Sequence, residues 1–259
     1  MLFCLHKIKL MYRKKYMKVD VVGTSCTWYT RNNTSFIIDD TILFDVPAGN
    51  YKDILKRGNI FRYESVFVSH WHSDHIGDLG VLTTRFLREK VKNPDLPKLK
   101  VYSKLGLDEY LIAYSKMKFS REDETDINLL RNAVDFIEIK EGDEIETGGY
   151  KVKVYSVDHN DIDCFGFTFT DKTGKTVAFS GDTRLCDSLE KMLSVSDFGF
   201  IDMAATFDNP NHLHFEGFVE LSKKYPNCKM FPVHTSDPSQ ELAVKNNLNY
   251  LNDNDILYL

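Results

Sequence analysis

The sequence of 259 residues has few of the features that mark secreted, membrane-spanning or disordered proteins. Its five cysteines are scattered and never form a C-x-x-C pair, which argues against a disulfide framework and against a thiolate zinc ribbon. No apolar run approaches the roughly 18 residues that a membrane helix needs. No Pro-, Gly- or Ser-rich linker divides the chain after residue 17. These absences predict a cytoplasmic protein with no membrane segment.

The composition is that of a folded, mildly acidic protein. Hydrophobic residues make up 42 % of the chain and aromatic residues 13 %, which is enough for a sizeable core. The net charge of −5 gives no overall attraction to nucleic acid, and we expect no stable nucleic-acid complex.

The first sixteen residues differ from the rest because they carry five Lys or Arg and no acid. We predict that 1–16 is a disordered or non-native extension; the alternative is a basic arm that contacts anionic partners. Without these five charges, residues 17–259 carry a net charge of −10 and are predicted to form a single domain.

From Met17 onward, short β-rich runs alternate with stretches that have helical spacing. The runs VDVVG, TSFIID and TILFDV predict a meander of strands, and residues 77–92 predict an amphipathic helix. A second β-rich half follows, and the chain ends in further helix–strand alternation. The pattern favours an α/β sandwich of two sheets with helices outside.

Three of the eight histidines lie in S-H-W-H-S-D-H, residues 69–75, at the end of a predicted strand. Two ring nitrogens at positions two residues apart on an extended segment can reach the same metal ion, and Asp74 and His75 can face a second ion. A lone histidine is usually a core or surface residue. Burying three imidazoles without a ligand would be costly, so this cluster predicts a metal site.

Three more candidate ligands end other predicted strands: His159 in V-D-H-N, Asp182 in F-S-G-D-T-R and His234 in F-P-V-H-T-S. Functional side chains of α/β proteins collect where strands end. Each residue taken singly has a structural explanation, as a loop residue, a helix cap or a polar strand end. Together with the cluster at 70–75, they favour metal binding.

The H-x-H-x-D-H run and these later residues resemble the metallo-β-lactamase superfamily of binuclear metallohydrolases. The resemblance implies an αβ/βα sandwich that holds two divalent metal ions at one edge. It implies that His70, His72 and His159 hold one ion, that Asp74, His75 and His234 hold the other, and that Asp182 bridges them. A ligand set without cysteine suits zinc and leaves manganese and iron open. His72 favours hydrolysis, because the flavo-diiron oxidoreductases of the superfamily carry glutamate there.

Three further segments are similar to the ribonuclease Z-like branch: G-T-S-C-T-W-Y-T-R-N-N-T-S (23–35), A-A-T-F (204–207) and N-H-L-H-F-E-G-F (211–218). The resemblance implies two catalytic residues, Asp74 and the proton donor His212. It also implies that His214 contacts substrate. A helix-start role is the alternative for both histidines. Ala204 stands where the branch has a glutamate, so that glutamate's supporting hydrogen bonds are missing.

Only 22 residues separate His159 from Asp182, which leaves no room for the tRNA-clamping arm of ribonuclease Z. The compact chain most resembles the phage anti-Pycsar phosphodiesterases. This resemblance implies a homodimeric hydrolase that converts 3′,5′-cyclic mononucleotides to 5′-monophosphates. It also implies that the protein removes a nucleotide signal in the host cytoplasm. We expect the base to stack on aromatic side chains such as Trp28, Tyr29 or Trp71.

Several alternatives remain open. The chain could be a tRNA 3′-processing endonuclease, with the seven Lys or Arg of residues 84–104 holding phosphates, although such a run is more often a solvated surface. It could be a 2′,3′- or 1,2-cyclic ribose phosphate phosphodiesterase. A carbon-ester, thioester or lactam hydrolase would not need His212. A non-catalytic binding protein would not need every ligand position filled.

Overall fold

The computed structural model describes residues 16–118 and 127–259, and the side chains of 114–129 are not described. The predicted extension of residues 1–16 therefore lies, except for Tyr16, outside the described part of the chain. The predicted α/β sandwich is confirmed: two mixed β-sheets pack face to face, with helices on both outer faces. No helix in these two ranges is long and apolar enough to cross a membrane.

The first sheet has seven strands in the order β13-β1-β2-β3-β4-β5-β6, and the second has six in the order β12-β11-β10-β9-β8-β7. The strands are β1 (Lys18–Gly23), β2 (Ser35–Ile38), β3 (Ile42–Phe44), β4 (Ser65–Phe67), β5 (Leu99–Ser103), β6 (Val134–Glu138), β7 (Glu144–Thr147), β8 (Tyr150–His159), β9 (Ile162–Thr170), β10 (Thr176–Phe179), β11 (Phe198–Asp202), β12 (Lys229–Val233) and β13 (Ile256–Tyr258).

The helices are α1 (Tyr51–Lys56), α2 (Ser73–Ile76), α3 (Leu79–Lys92), α4 (Leu107–Lys118), α5 (Ile127–Ala133), α6 (Asp187–Ser194), α7 (Phe215–Lys224) and α8 (Asp237–Lys245), with a 3₁₀ turn at Ile60–Arg62. Helix α3 buries Leu82 and Phe86 against the first sheet, while α6 and α7 bury Leu189 and Phe218 against the second. Each sheet is therefore covered on its outer face, as expected for strands with continuous apolar runs.

Phenylalanine rings from both sheets form the centre of the sandwich. The ring of Phe179 on β10 lies 5.2 Å from the rings of Phe36 and Phe44, which belong to the opposite sheet, and 4.8 Å from that of Phe200. All four side chains are almost fully buried. Aromatic pairs at these separations add to the stabilisation from buried area, so this cluster fixes how the sheets face each other.

Phe179→Ala should lower the free energy of unfolding by about 3–5 kcal/mol, because it leaves a cavity where the two sheets meet. Urea denaturation followed by circular dichroism measures the change. Phe207→Ala is the matched control: its side chain is 73 % exposed, and it should change stability by no more than about 0.5 kcal/mol. Similar losses from both substitutions would contradict this description of the core.

Candidate metal centre

The candidate metal ligands meet because the ends of several strands lie at one edge of the sandwich. Strands β10, β11 and β12 are parallel, and β8 runs in the same direction because both β8 and β10 are antiparallel to β9. Their carboxyl ends carry His159, Asp182 and His234. In the first sheet, β3 and β4 are parallel, and β4 leads directly to His70. The topology therefore brings together residues that are far apart in sequence.

One group of donor atoms comes from His70, His72 and His159. His70 Nε2 lies 2.9 Å from His72 Nδ1, and His159 Nε2 lies 3.4 Å from the same atom. Together with an oxygen of Asp182, the three nitrogens offer four donor atoms within 4.8 Å of one another. The three histidines, His70, His72 and His159, are the first predicted ligand set and are here called the first donor group.

The second donor group consists of Asp74, His75 and His234, whose ligand atoms also lie within 4.8 Å of one another. His72 precedes the short helix α2, and the first turn of that helix carries Asp74 and His75 inward. Asp74 Oδ2 is 3.4 Å from His234 Nε2. These residues are the second predicted set.

Asp182 lies between the two donor groups. Its Oδ2 is 3.6 Å from His70 Nε2 and 3.4 Å from His234 Nε2, and its Oδ1 is 3.3 Å from His75 Nε2. Burial favours the neutral acid, but the imidazoles of His234, His75 and His70 outweigh it and hold the pKa of Asp182 well below its usual range. The carboxylate is thus ionised and placed as a bridging ligand would be.

Two facing atoms show that this arrangement fits metal ions. His75 Nε2 and Asp182 Oδ1 are buried, and neither has a hydrogen-bond partner within the described ranges. Leaving buried polar atoms unpaired is costly, whereas both are good ligands for a divalent cation. Histidine and aspartate donors are also the types that zinc, manganese and iron accept. The residues present therefore suit binding of divalent metal ions.

Asp45 supports this arrangement, and no sequence pattern had assigned it a role. It follows β3, is fully buried, and accepts hydrogen bonds from Ser69 N (2.8 Å) and Ser69 Oγ (2.7 Å). Its Oδ2 also lies 2.7 Å from His75 Nδ1, which leaves His75 Nε2 facing Asp182. Burial opposes protonation of His75, but Asp182 and Asp45 outweigh it and raise the pKa of His75 well above its usual range. A carboxylate that orients a ligand imidazole in this way is a common feature of metal sites.

His212 lies beside the two donor groups and is oriented by a second carboxylate that the sequence analysis did not identify. Its ring is 4.9 Å from that of His159 and 5.2 Å from that of His234. His212 Nδ1 lies 2.8 Å from Oδ2 of the fully buried Asp202, at the end of β11. Asp202 therefore supplies a carboxylate beside His212, although Ala204 replaces the glutamate of the related branch.

The charge of His212 follows from the same contact. Burial opposes protonation, but the charge and hydrogen bond of Asp202, followed by the charge of Asp182, outweigh it and raise the pKa of His212 to about 9. Because Asp202 engages Nδ1, Nε2 is the ring nitrogen of His212 that remains available, and His212 is one of the residues that line the cleft over the donor groups.

The cleft over the donor groups has a volume of about 470 Å³. The residues that line it include the buried Asp74, Asp182 and His234, the half-buried His212 and Tyr29, and the exposed Trp28. Trp28 is 87 % exposed, which is unusual for so large an apolar side chain. Tyr29, a predicted substrate contact, is among the residues that line the cleft, and the contact itself stays a prediction.

The other two predicted substrate contacts, Trp71 and His214, are not among the residues that line this cleft. Side chains alternate along an extended segment, so Trp71 turns away when His70 and His72 face inward. Its indole N–H donates to Ser103 Oγ (2.9 Å), and its ring packs against Tyr110. His214 is the N-cap residue of α7 and packs beside Gly217, which matches the helix-start alternative.

Asp45→Ala should weaken metal binding about 10–100-fold, because His75 loses the partner that orients its ring. Titration against a chromophoric chelator measures this affinity. Asp40→Asn is the control: it removes a surface carboxylate paired with Lys18, and should leave metal affinity unchanged. Equal metal affinity in the Asp45 variant and the wild type would show that Asp45 does not orient His75.

Comparison with known proteins places this site in a family context. The chain is 22 % identical over 280 residues to ribonuclease Z of Methanosarcina acetivorans, a match that covers 85 % of this chain and 88 % of that protein. Other curated ribonucleases of this kind match as well, and the aligned part spans between 43 and 48 % of their length.

Solved structures share the fold. The metallo-β-lactamase fold protein YhfI of Bacillus subtilis has a TM-score of 0.73 at 16 % identity, with 94 % of this chain and 99 % of that chain covered. A diphosphatase of the PhnP family has a TM-score of 0.71 at 17 % identity, with 94 % and 98 % covered. The family model for the β-lactamase superfamily domain matches residues 47–235, well over half of the chain, from just after Asp45 to just beyond His234. The protein therefore belongs to the β-lactamase superfamily, and is a metallo-hydrolase of that superfamily.

Proposed function

We propose that this metallo-hydrolase is a binuclear phosphodiesterase that hydrolyses 3′,5′-cyclic mononucleotides to 5′-monophosphates. The matched ribonucleases Z act on phosphodiester bonds, which supports the bond class. The observation that carries the proposal is His212, which is paired with the buried carboxylate of Asp202 and lines a small cleft beside two groups of candidate metal ligands.

The dimensions of the cleft favour a small substrate. Its volume of about 470 Å³ lies in the range of small-molecule sites, roughly 300–1,000 Å³, and suits a single nucleotide. Trp28 and Tyr29, which line the cleft, offer aromatic faces on which a base can stack. The phosphate would then lie over the metal ligands, with the base against these rings.

His212 provides the proton that the leaving group needs. Its Nδ1 is engaged by Asp202, so Nε2 remains for the substrate. Proton donation to the departing 3′ oxygen avoids the release of an alkoxide. The first and second donor groups would each hold one divalent ion, and such a pair supplies Lewis acidity and activates water for attack on phosphorus. Zinc is the ion that we propose.

A folded tRNA is a poorer fit. The segment between His159 and Asp182 forms a plain hairpin, β9 and β10 joined by the tight turn 171–175, with no inserted arm. Several basic side chains of residues 84–104 are also engaged within the fold. Lys90 binds the Leu96 carbonyl, Lys98 pairs with Asp135, and Lys104 pairs with Asp163. Three of the seven basic side chains of this run therefore already have partners within the protein.

Ribonuclease Z activity is the second candidate, because the curated relatives carry that name. We further propose that the protein acts in the cytoplasm, as a homodimer, on a nucleotide signal. Light scattering of the purified protein measures the oligomeric state directly, independently of activity.

The zinc-loaded protein should convert 3′,5′-cyclic mononucleotides to 5′-monophosphates faster than it cleaves a tRNA precursor, 2′,3′-cyclic mononucleotides or a β-lactam. Chromatography of the products resolves the four reactions. A chelator should abolish turnover, and added zinc should restore it. Cleavage of the tRNA precursor alone would replace the proposed substrate with the second candidate, and opening of the lactam alone would exclude both.

His212→Ala should lower kcat about 10²–10⁴-fold, because the leaving oxygen would depart without a positioned proton donor. Both metal ions should remain bound, as measured by elemental analysis. His214→Ala is the matched control, two residues away and outside the cleft, and should change kcat less than threefold. Unchanged turnover in the His212 variant would remove it from the mechanism.

A further inference from the structure

The segment between β1 and β2, residues 24–34, contains the W-Y-T-R-N-N motif, yet the proposed catalysis uses only its aromatic residues. Arg31 belongs to this segment but does not line the cleft. We propose that Arg31 is a positioning residue, which holds the loop after β12 so that His234 can complete the second donor group. This inference rests on the metal site and not on the identity of the substrate.

The backbone of His234 needs such support. Its φ angle is +53°, in the left-handed region that residues with a Cβ atom rarely adopt. Hydrogen bonds to the two ends of the segment 24–34 hold this conformation. His234 N donates to Thr34 Oγ1 (3.0 Å), and the next amide, Thr235 N, donates to Thr24 O (2.9 Å). The contacts with residues 24–34 therefore stabilise this backbone conformation of His234.

Arg31 ties the segment to the loop after β12 through several donors at once. Its Nη2 donates to Thr235 O (2.9 Å) and its Nη1 to Thr235 Oγ1 (3.1 Å). The guanidinium also contacts Thr24 Oγ1 (3.4 Å) and pairs with Asp237 at the start of α8 (3.3 Å). Only 19 % of the side chain is exposed. A planar group with five fixed donors suits this task, whereas a lysine could not make all these bonds.

The first donor group draws its support from other residues. His159 Nδ1 lies 2.8 Å from the carbonyl oxygen of Asn211, and His70 Nδ1 lies 3.1 Å from Ser69 Oγ. Neither of these contacts involves residues 24–34. Loss of Arg31 should therefore weaken the second metal position selectively, because His234 is a member of the second donor group and not of the first.

Arg31→Met tests this selectivity. Protein equilibrated in zinc buffered by a chelator is analysed for bound zinc by native mass spectrometry. At a free zinc concentration that gives the wild type two ions, the variant should hold one, and its second ion should bind at least tenfold more weakly. The affinity of Arg31→Lys for the second ion should lie between those of the wild type and Arg31→Met, because lysine keeps the charge but lacks the several donors of the guanidinium.

Arg57→Met is the matched control. Arg57 has a side chain that is only 11 % exposed, pairs with Asp20 and binds the Val21 carbonyl, but has no contact with the loop of His234. It should lose stability and still bind two zinc ions. Its parallel measurement separates a general loss of packing from a specific loss of one metal position.

Two results would overturn the inference: wild-type affinity for both ions in Arg31→Met, or parallel loss of both ions. If Arg31→Met does not fold, Thr34→Val provides the test. It removes the hydroxyl that accepts a hydrogen bond from the His234 amide, and it keeps the side-chain shape. Retention of both ions at wild-type affinity in Thr34→Val would then refute it. The readout is bound zinc, so failure of the cyclic-nucleotide proposal would leave this result unaffected.

Discussion

The carboxylate of Asp182 is the group on which the organisation of the site depends. It is buried at the joint between two sheets, and imidazoles from both sheets surround it. Removing an ionised carboxylate from water is expensive unless cations or hydrogen bonds replace the lost hydration. The contacts with His70, His75 and His234 therefore help Asp182 to remain charged. The positions of Asp45 and of Arg31 follow from this need, because each fixes one of the surrounding segments.

A rigid apolar interior makes this polar edge possible. The phenylalanine cluster between the sheets sets their spacing, and close-packed interiors transmit small displacements instead of absorbing them. Gly181 shows how closely chain segments approach at the edge: a Cβ atom there would lie 2.6 Å from the Phe165 carbonyl oxygen of the adjacent strand β9 and 3.1 Å from Cβ of Ser69, which follows β4 of the other sheet. The G-D-T turn thus depends on glycine for both its positive φ angle and its space.

Much of the fold and of the metal centre could be predicted from the sequence, because the relevant signals are local. The H-x-H-x-D-H spacing and the strand ends at His159, Asp182 and His234 bring together residues that the structure does place at one edge. Asp45 and Asp202 were not found in this way, because neither belongs to the ligand set that the family resemblance implies, although both also lie at strand ends. The structure alone shows that they face histidines.

The surroundings of Trp71 and His214 follow local rules. Trp71 alternates with His70 and His72 and packs, half-buried, against Tyr110, and His214 is the N-cap residue of α7. Helix α8 was not predicted, although Ser236 caps it and Pro238 lies in its first turn, both typical helix-start signals. Its polar sequence hides the periodicity that identified α3, so tertiary packing around Ala243 decides its conformation.

The donor atoms come from chain segments as far apart as His70 and His234, and from both sheets. An unfolded chain cannot hold them together, so metal ions bind the native state far better than the unfolded one. By mass action, each ion at one hundred times its dissociation constant adds about 2.7 kcal/mol to the free energy of unfolding. A cell that withholds the metal would therefore remove part of the protein's resistance to unfolding and proteolysis along with its activity.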